Sequence, residues 1–152
     1  LTFIGDGNNV AHSLILCGCL LDVEVRIACP KKYEPAPQII KKAMELNNNF
    51  KLTVTDDING AVRGANVLYT DVWSSMGEEN GKQIKDKDFK GYSIDSDLVN
   101  KADKDAIVLH CLPAYRGKEI SEDIIESDKS RIFDQAENRM HIQQALLSCL
   151  LS

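Results

Sequence analysis

Five times along 152 residues, a short apolar, β-branched run gives way to a stretch of helical character. The runs are LTFI (1–4), VEVRIA (23–28), KLTVT (51–55), NVLY (66–69) and AIVLH (106–110). Between and after them lie a nearly all-apolar segment at 10–21 and a 3–4 spaced pattern at 36–47, carried by Ile39, Ile40, Ala43 and Met44. Brief helices are predicted at 58–63, 96–101 and 122–126, and a long one over 136–151. Residues 131–133 predict a short sixth strand, and 71–91 reads as the longest loop. Strands that alternate with helices cannot pair as hairpins and need crossovers, which cover both faces of a parallel sheet. The predicted fold class is therefore α/β: doubly wound, with a mostly parallel five-stranded sheet and helices on both faces.

Charge and cysteine usage exclude several functions. There are 18 Lys and Arg against 23 Asp and Glu, a formal net charge of -5, and no polybasic run. A nucleic-acid surface is not expected. The run LILCGCLL (14–21) is too short to span a bilayer and follows GDGNN, not a basic leader, so neither membrane association nor a signal peptide is expected. The five cysteines show no CxxC spacing and the three histidines form no HExxH. Reduced cysteines, a cytoplasmic location and no metal are the expectations. The chain opens directly on its first strand, which reads as a piece of something longer.

In a doubly wound sheet, ligands bind outside the carboxyl ends of the strands. Four polar runs fall there or beside the last strand: GDGNN, TDVWSSMG, HCLPAYRG and DQAENR. Gly5-x-Gly7 is an incomplete dinucleotide fingerprint, because position 10 is Val and no acidic residue ends the second strand. No cofactor is expected. Asn8 and Asn9 suit either a helix cap or a ligand carrying both ammonium and carboxylate. Asp71 suits a loop cap or a substrate ammonium. Cys111 suits a buried hydrophobe or a reactive group, but its neighbour His110 should point to the opposite face, so a Cys–His dyad is disfavoured. Pro113 should hold Leu112 extended. Arg139 suits a surface ion pair or an anion contact. Residue spacing alone stops at an α/β domain that binds a small charged metabolite.

Taken together, GDGNNVAHS (5–13), YTDVWSSMG (69–77), HCLPAYRG (110–117) and FDQAENRMH (133–141) resemble the carbamoyltransferases, and within them those acting on ornithine. The resemblance covers essentially the whole chain and matches that family's second domain. It implies a Rossmann-like ornithine-binding domain over 1–152, without the amino-terminal carbamoyl phosphate domain. The implied reaction moves the carbamoyl group of carbamoyl phosphate to the δ-amine of L-ornithine, giving L-citrulline and phosphate, in cytoplasmic arginine biosynthesis by a homotrimer. Carried over by resemblance, Asn9, Asp71, Ser75 and Met76 hold ornithine, and Leu112 and Cys111 lie near the reacting amine. Cys111 is then a proton acceptor and Arg139 contacts carbamoyl phosphate. The fragment alone is expected to be inactive. The alternatives are a carbamoyltransferase for a different amine, or a non-catalytic amino-acid-binding domain of similar fold.

Overall fold

A computed structural model of the chain describes residues 1–74 and 82–151. Five strands, β1 (Thr2–Ile4), β2 (Val25–Ala28), β3 (Leu52–Thr55), β4 (Val67–Thr70) and β5 (Ile107–His110), form one sheet. Its order is β3-β2-β1-β4-β5 and every pairing is parallel. The central strand is thus the first in the chain. The winding reverses between β1 and β4, which places a topological switch point at their carboxyl ends.

Alternation along the strands builds two cores. Phe3, Val25, Ile27 and Tyr69 pack on one face with Ala11, Ile15 and Cys19 of α1 (Asn9–Leu20) and Ala43 of α2 (Pro37–Leu46). Ile4, Ala28, Leu68 and Val108 pack on the other face. There they meet Ala61 and Val62 of α3 (Ile58–Val62), Leu98 and Val99 of α5 (Ser96–Val99), and Ile124 and Ile125 of α6 (Glu122–Ile125). The expected two-sided α/β sandwich is what forms, because adjacent strand residues point to opposite sides.

Caps set the helix starts. Asn8 accepts from Val10 N at 3.2 Å to open α1, Asp57 accepts from Gly60 N to open α3, and Asp95 accepts from Leu98 N to open α5. Gly7 has no room for a side chain: an added Cβ would lie 2.5 Å from Tyr33 O and Pro35 N. Its own N–H donates to Tyr33 O at 2.8 Å, so the loop after β1 is locked to the loop after β2.

Two expectations need correction. Residues 131–133 are not a strand: Ile132 begins α7 (Ile132–Leu151), and the chain before it adds only an isolated bridge, Ser130 to Val108, at the β5 edge. Ile132 itself is buried, which explains the apolar signal. The second correction concerns 71–91, which is not all loop. It contains α4 (Lys82–Asp88), whose sequence KQIKDKD has too little apolar periodicity to be found. Most of α7 is open, with Phe133, Met140, Ile142, Leu146 and Leu147 all more than half exposed. No helix among the described residues is long and apolar enough to cross a membrane.

Candidate functional site

The site lies at the carboxyl ends of β4 and β5, where each strand delivers one polar residue. Asp71 follows β4 and Cys111 follows β5. The Cys111 thiol donates to Asp71 Oδ1 at 2.9 Å, and the same oxygen accepts from Val72 N at 2.8 Å. Burial pushes the Cys111 thiol up to about 12, and the Asp71 carboxylate beside it acts in the same direction, since a thiolate there would face an anion. Cys111 is therefore a hydrogen-bond donor at neutral pH, not a resting thiolate.

Next to it opens a cleft of about 880 Å³ lined by Tyr69, Cys111, Leu112, Gln135 and Arg139, among others. Gln135, one turn into α7, makes two bridges. Its carbonyl accepts from His110 N at 3.0 Å, and its amide donates to Tyr69 Oη at 2.8 Å. The Tyr69 hydroxyl is pushed up to about 12, chiefly by burial and then by the neighbouring Cys111.

Behind the cleft, His110 and Glu119 are fully buried together. His110 Nδ1 accepts from Leu112 N at 2.8 Å, which leaves the ring proton on Nε2, facing Glu119 Oε1 at 3.3 Å. The same Glu119 oxygen accepts from Tyr115 N at 2.5 Å. Glu119 thus grips the 110–117 run at two points. Leu112 is not extended as expected: its φ is +58°, and the bond to Pro113 is cis. The hydrogen bond to His110 holds this left-handed backbone, which is unfavourable for leucine. A ring nitrogen of His110 also comes within 4.8 Å of Asp71 and Cys111, the ligand atoms of a potential metal cluster. Both nitrogens of that ring are engaged within the fold, one by Leu112 N and the other by Glu119.

The sequence-nominated residues separate into groups. Cys111, Leu112 and Arg139 line one cleft, and Asp71 is bonded to Cys111. Asn9 is exposed at the start of α1, at the end of neighbouring β1. Ser75 and Met76 lie outside the described residues. Residue reasoning missed Tyr69, Gln135 and Glu119. Gln135 stands inside the polar run DQAENR and Tyr69 directly before TDVWSSMG, so their placement was the available signal. Glu119 had none, because an acidic residue in a charged loop carries no mark of burial.

Comparisons with known proteins identify the family. The chain is 72% identical to an ornithine carbamoyltransferase of Prochlorococcus marinus subsp. pastoris, covering 99% of this chain and 49% of that one. It is 49% identical to that of a Synechocystis species, again over 99% of this chain and 49% of the relative. The chain spans about half the length of the curated relatives it matches. Among solved structures, the anabolic ornithine carbamoyltransferase of Campylobacter jejuni superposes with a TM-score of 0.92 at 44% identity, over 98% of this chain and 50% of that one. The Gloeobacter violaceus ornithine carbamoyltransferase gives 0.87 at 40% identity, over 99% and 50%. The family model described as "Aspartate/ornithine carbamoyltransferase, Asp/Orn binding domain" matches residues 1–150, and the chain belongs to that family.

Proposed function

We propose that this chain is the ornithine-binding half of an enzyme that transfers the carbamoyl group of carbamoyl phosphate to the δ-amine of L-ornithine, yielding L-citrulline and phosphate. The observation that carries this reading is the meeting of Asp71, Cys111, Leu112 and Arg139, delivered by three separate strand or helix ends to one edge of the sheet. An anionic carboxylate and a cationic guanidinium at one site suit an amine-bearing acceptor and an anionic donor. The names of the relatives and of the solved structures support ornithine as that acceptor.

In the reaction the δ-ammonium first loses a proton. Its nitrogen then attacks the carbamoyl carbon, a C–N bond forms, the C–O bond to phosphate breaks, and the nitrogen's remaining excess proton leaves with the phosphate. Asp71 supplies a negative charge to receive the α-ammonium of ornithine. Cys111 keeps that carboxylate oriented, and its high pKa argues that the resting thiol is a donor in the ligand-free site and not a base. Arg139 lines the cleft, and in this reading it meets the donor's oxygens.

A further half of the enzyme, carrying the carbamoyl phosphate residues, completes the site in this reading. The half-length match and the open apolar side of α7 both support a missing partner domain. We place the enzyme in cytoplasmic arginine biosynthesis as a homotrimer, on the same resemblance. The test is citrulline formation by the full-length enzyme, with a panel of ornithine, putrescine, acetylornithine and aspartate as acceptors. Turnover of ornithine alone supports the proposal. Preference for another amine replaces ornithine, and saturable binding without turnover makes the domain non-catalytic. The 152-residue chain by itself should form no citrulline above background, because both reactants must be held in register.

A further inference from the structure

Helix α4 carries almost no apolar side chains, yet it and the residue after it are tied to the segments that follow β1, β4 and β5. Lys85 Nζ pairs with Asp6 Oδ2 at 2.9 Å, in the run that follows β1. Asp86 Oδ2 accepts from Lys118 at 2.6 Å, one residue past the run that follows β5. Phe89, directly after the helix, stacks on Trp73 in the run that follows β4, with centroids 5.8 Å apart. Asp88 accepts from Tyr33 Oη at 2.8 Å, and Tyr33 packs on Phe89 at 4.7 Å.

The Lys85–Asp6 pair differs from the surface pairs of this chain. Its side chains are only 17% and 12% exposed, whereas those of Lys31–Asp56 are 83% and 53% exposed. The Lys85 ammonium also lies 5.9 Å from the centroid of the Tyr33 ring. A pair this buried is screened little by solvent and fixes the spacing of its two segments. Asp6 stands three residues before Asn9, and the loop between them has no slack: Gly7 is locked against Tyr33 and Pro35, and Asn8 caps α1. Lys85 stands on the helix that follows the run holding Asp71.

We propose that Lys85 and Asp6 are positioning residues for the amino-acid substrate: their ion pair sets the distance between the segment that opens α1 and the helix after the Asp71 run. This rests on the ornithine reading above. The pair sits outside the Cys111–Arg139 cleft, so its loss should act on ornithine and not on carbamoyl phosphate.

The experiment is steady-state kinetics of full-length enzyme carrying Lys85→Met, Asp6→Asn, both together, and Lys85→Arg. Each single variant should raise KM for ornithine about tenfold, with KM for carbamoyl phosphate and kcat within about twofold. The double variant should resemble the singles, since one shared interaction is lost only once, and Lys85→Arg should stay near wild type. Additive effects in the double variant would overturn the proposal because the two residues would then act independently, and a lowered thermal midpoint and kcat with KM for ornithine unchanged would overturn it in favour of a merely structural pair. Should Lys85→Met fail to fold, Asp6→Asn and Lys85→Arg still decide it. An unmutated enzyme that forms no citrulline would instead overturn the ornithine reading, leaving the two failures distinguishable.

Discussion

The thiol of Cys111 points its proton at Asp71, 2.9 Å away, so the two side chains act as one donor–acceptor unit across β4 and β5. Asp71 is the half of that unit with free charge to offer. Asp71→Asn in the full-length enzyme should therefore weaken ornithine binding by about 2–5 kcal/mol, the cost of truncating one partner of a desolvated charge pair. Carbamoyl phosphate binding should be nearly unchanged. Isothermal titration of each ligand measures both. Equal losses would assign Asp71 to the fold and not to the substrate.

Cys111→Ser keeps a donor but shortens its reach and changes its acidity. It should fold with a near-native thermal midpoint and lose kcat/KM, whereas Cys111→Ala should lose both. Unchanged kcat/KM in the serine variant would remove Cys111 from the active site.

The same thiol makes a pH prediction. Its folded pKa of about 12 is above the value of an unfolded cysteine, about 8.5. Above that lower value the unfolded chain releases a proton that the folded chain retains, so the group's contribution to stability is complete below about pH 8.5 and declines as pH rises toward 12. Thermal midpoints measured from pH 8 to 11 should fall less steeply for Cys111→Ser than for wild type. Parallel curves would show that the thiol titrates normally. Cys29, whose thiol burial also pushes up to about 12, is present in both proteins and cancels in the comparison.

Glu119→Ala would leave Tyr115 N without its carboxylate partner and His110 Nε2 facing a void. An orphaned buried donor costs about 1–3 kcal/mol, and two donors are affected here. The thermal midpoint should drop, and His110→Gln should show a smaller loss of the same kind, because glutamine can still donate. A Glu119→Ala variant as stable as wild type would mean that the 110–117 run is held from elsewhere.

Gly7→Ala probes the loop after β1. The new methyl would meet backbone atoms of Tyr33 and Pro35, which cannot rotate away as a side chain can. Overpacking of this kind costs about 1–3 kcal/mol. Chemical denaturation of the 152-residue chain reads the loss directly.

The strands were legible because each was short, apolar and set off by polar punctuation, and the helices of the apolar faces were legible by their 3–4 spacing. Where apolar content failed as a guide, so did the reading. Helix α4 is held by Lys85, Asp86 and Asp88, charges that look like a solvated loop until their partners are seen. Residues 131–133 looked like a strand because Ile132 is buried by the turn that starts α7. Of the site, Asp71, Cys111, Leu112 and Arg139 were legible from position at strand ends and from family resemblance. The direction of the Cys111 hydrogen bond was not, since it depends on burial, and neither was the His110–Glu119 pair, which joins residues nine apart through a turn no local rule foretells.

The place of β1 at the middle of the sheet has a consequence for how the chain is made. Thr2–Ile4 is made before both of its neighbours in the sheet, so its pairing with Val25–Ala28 becomes possible early, but its other flank waits for Val67–Thr70. For that interval the keystone strand has one open edge. Deleting residues 1–4 would remove the middle of the sheet, leaving β3–β2 and β4–β5 as two separate ribbons with no strand to join them.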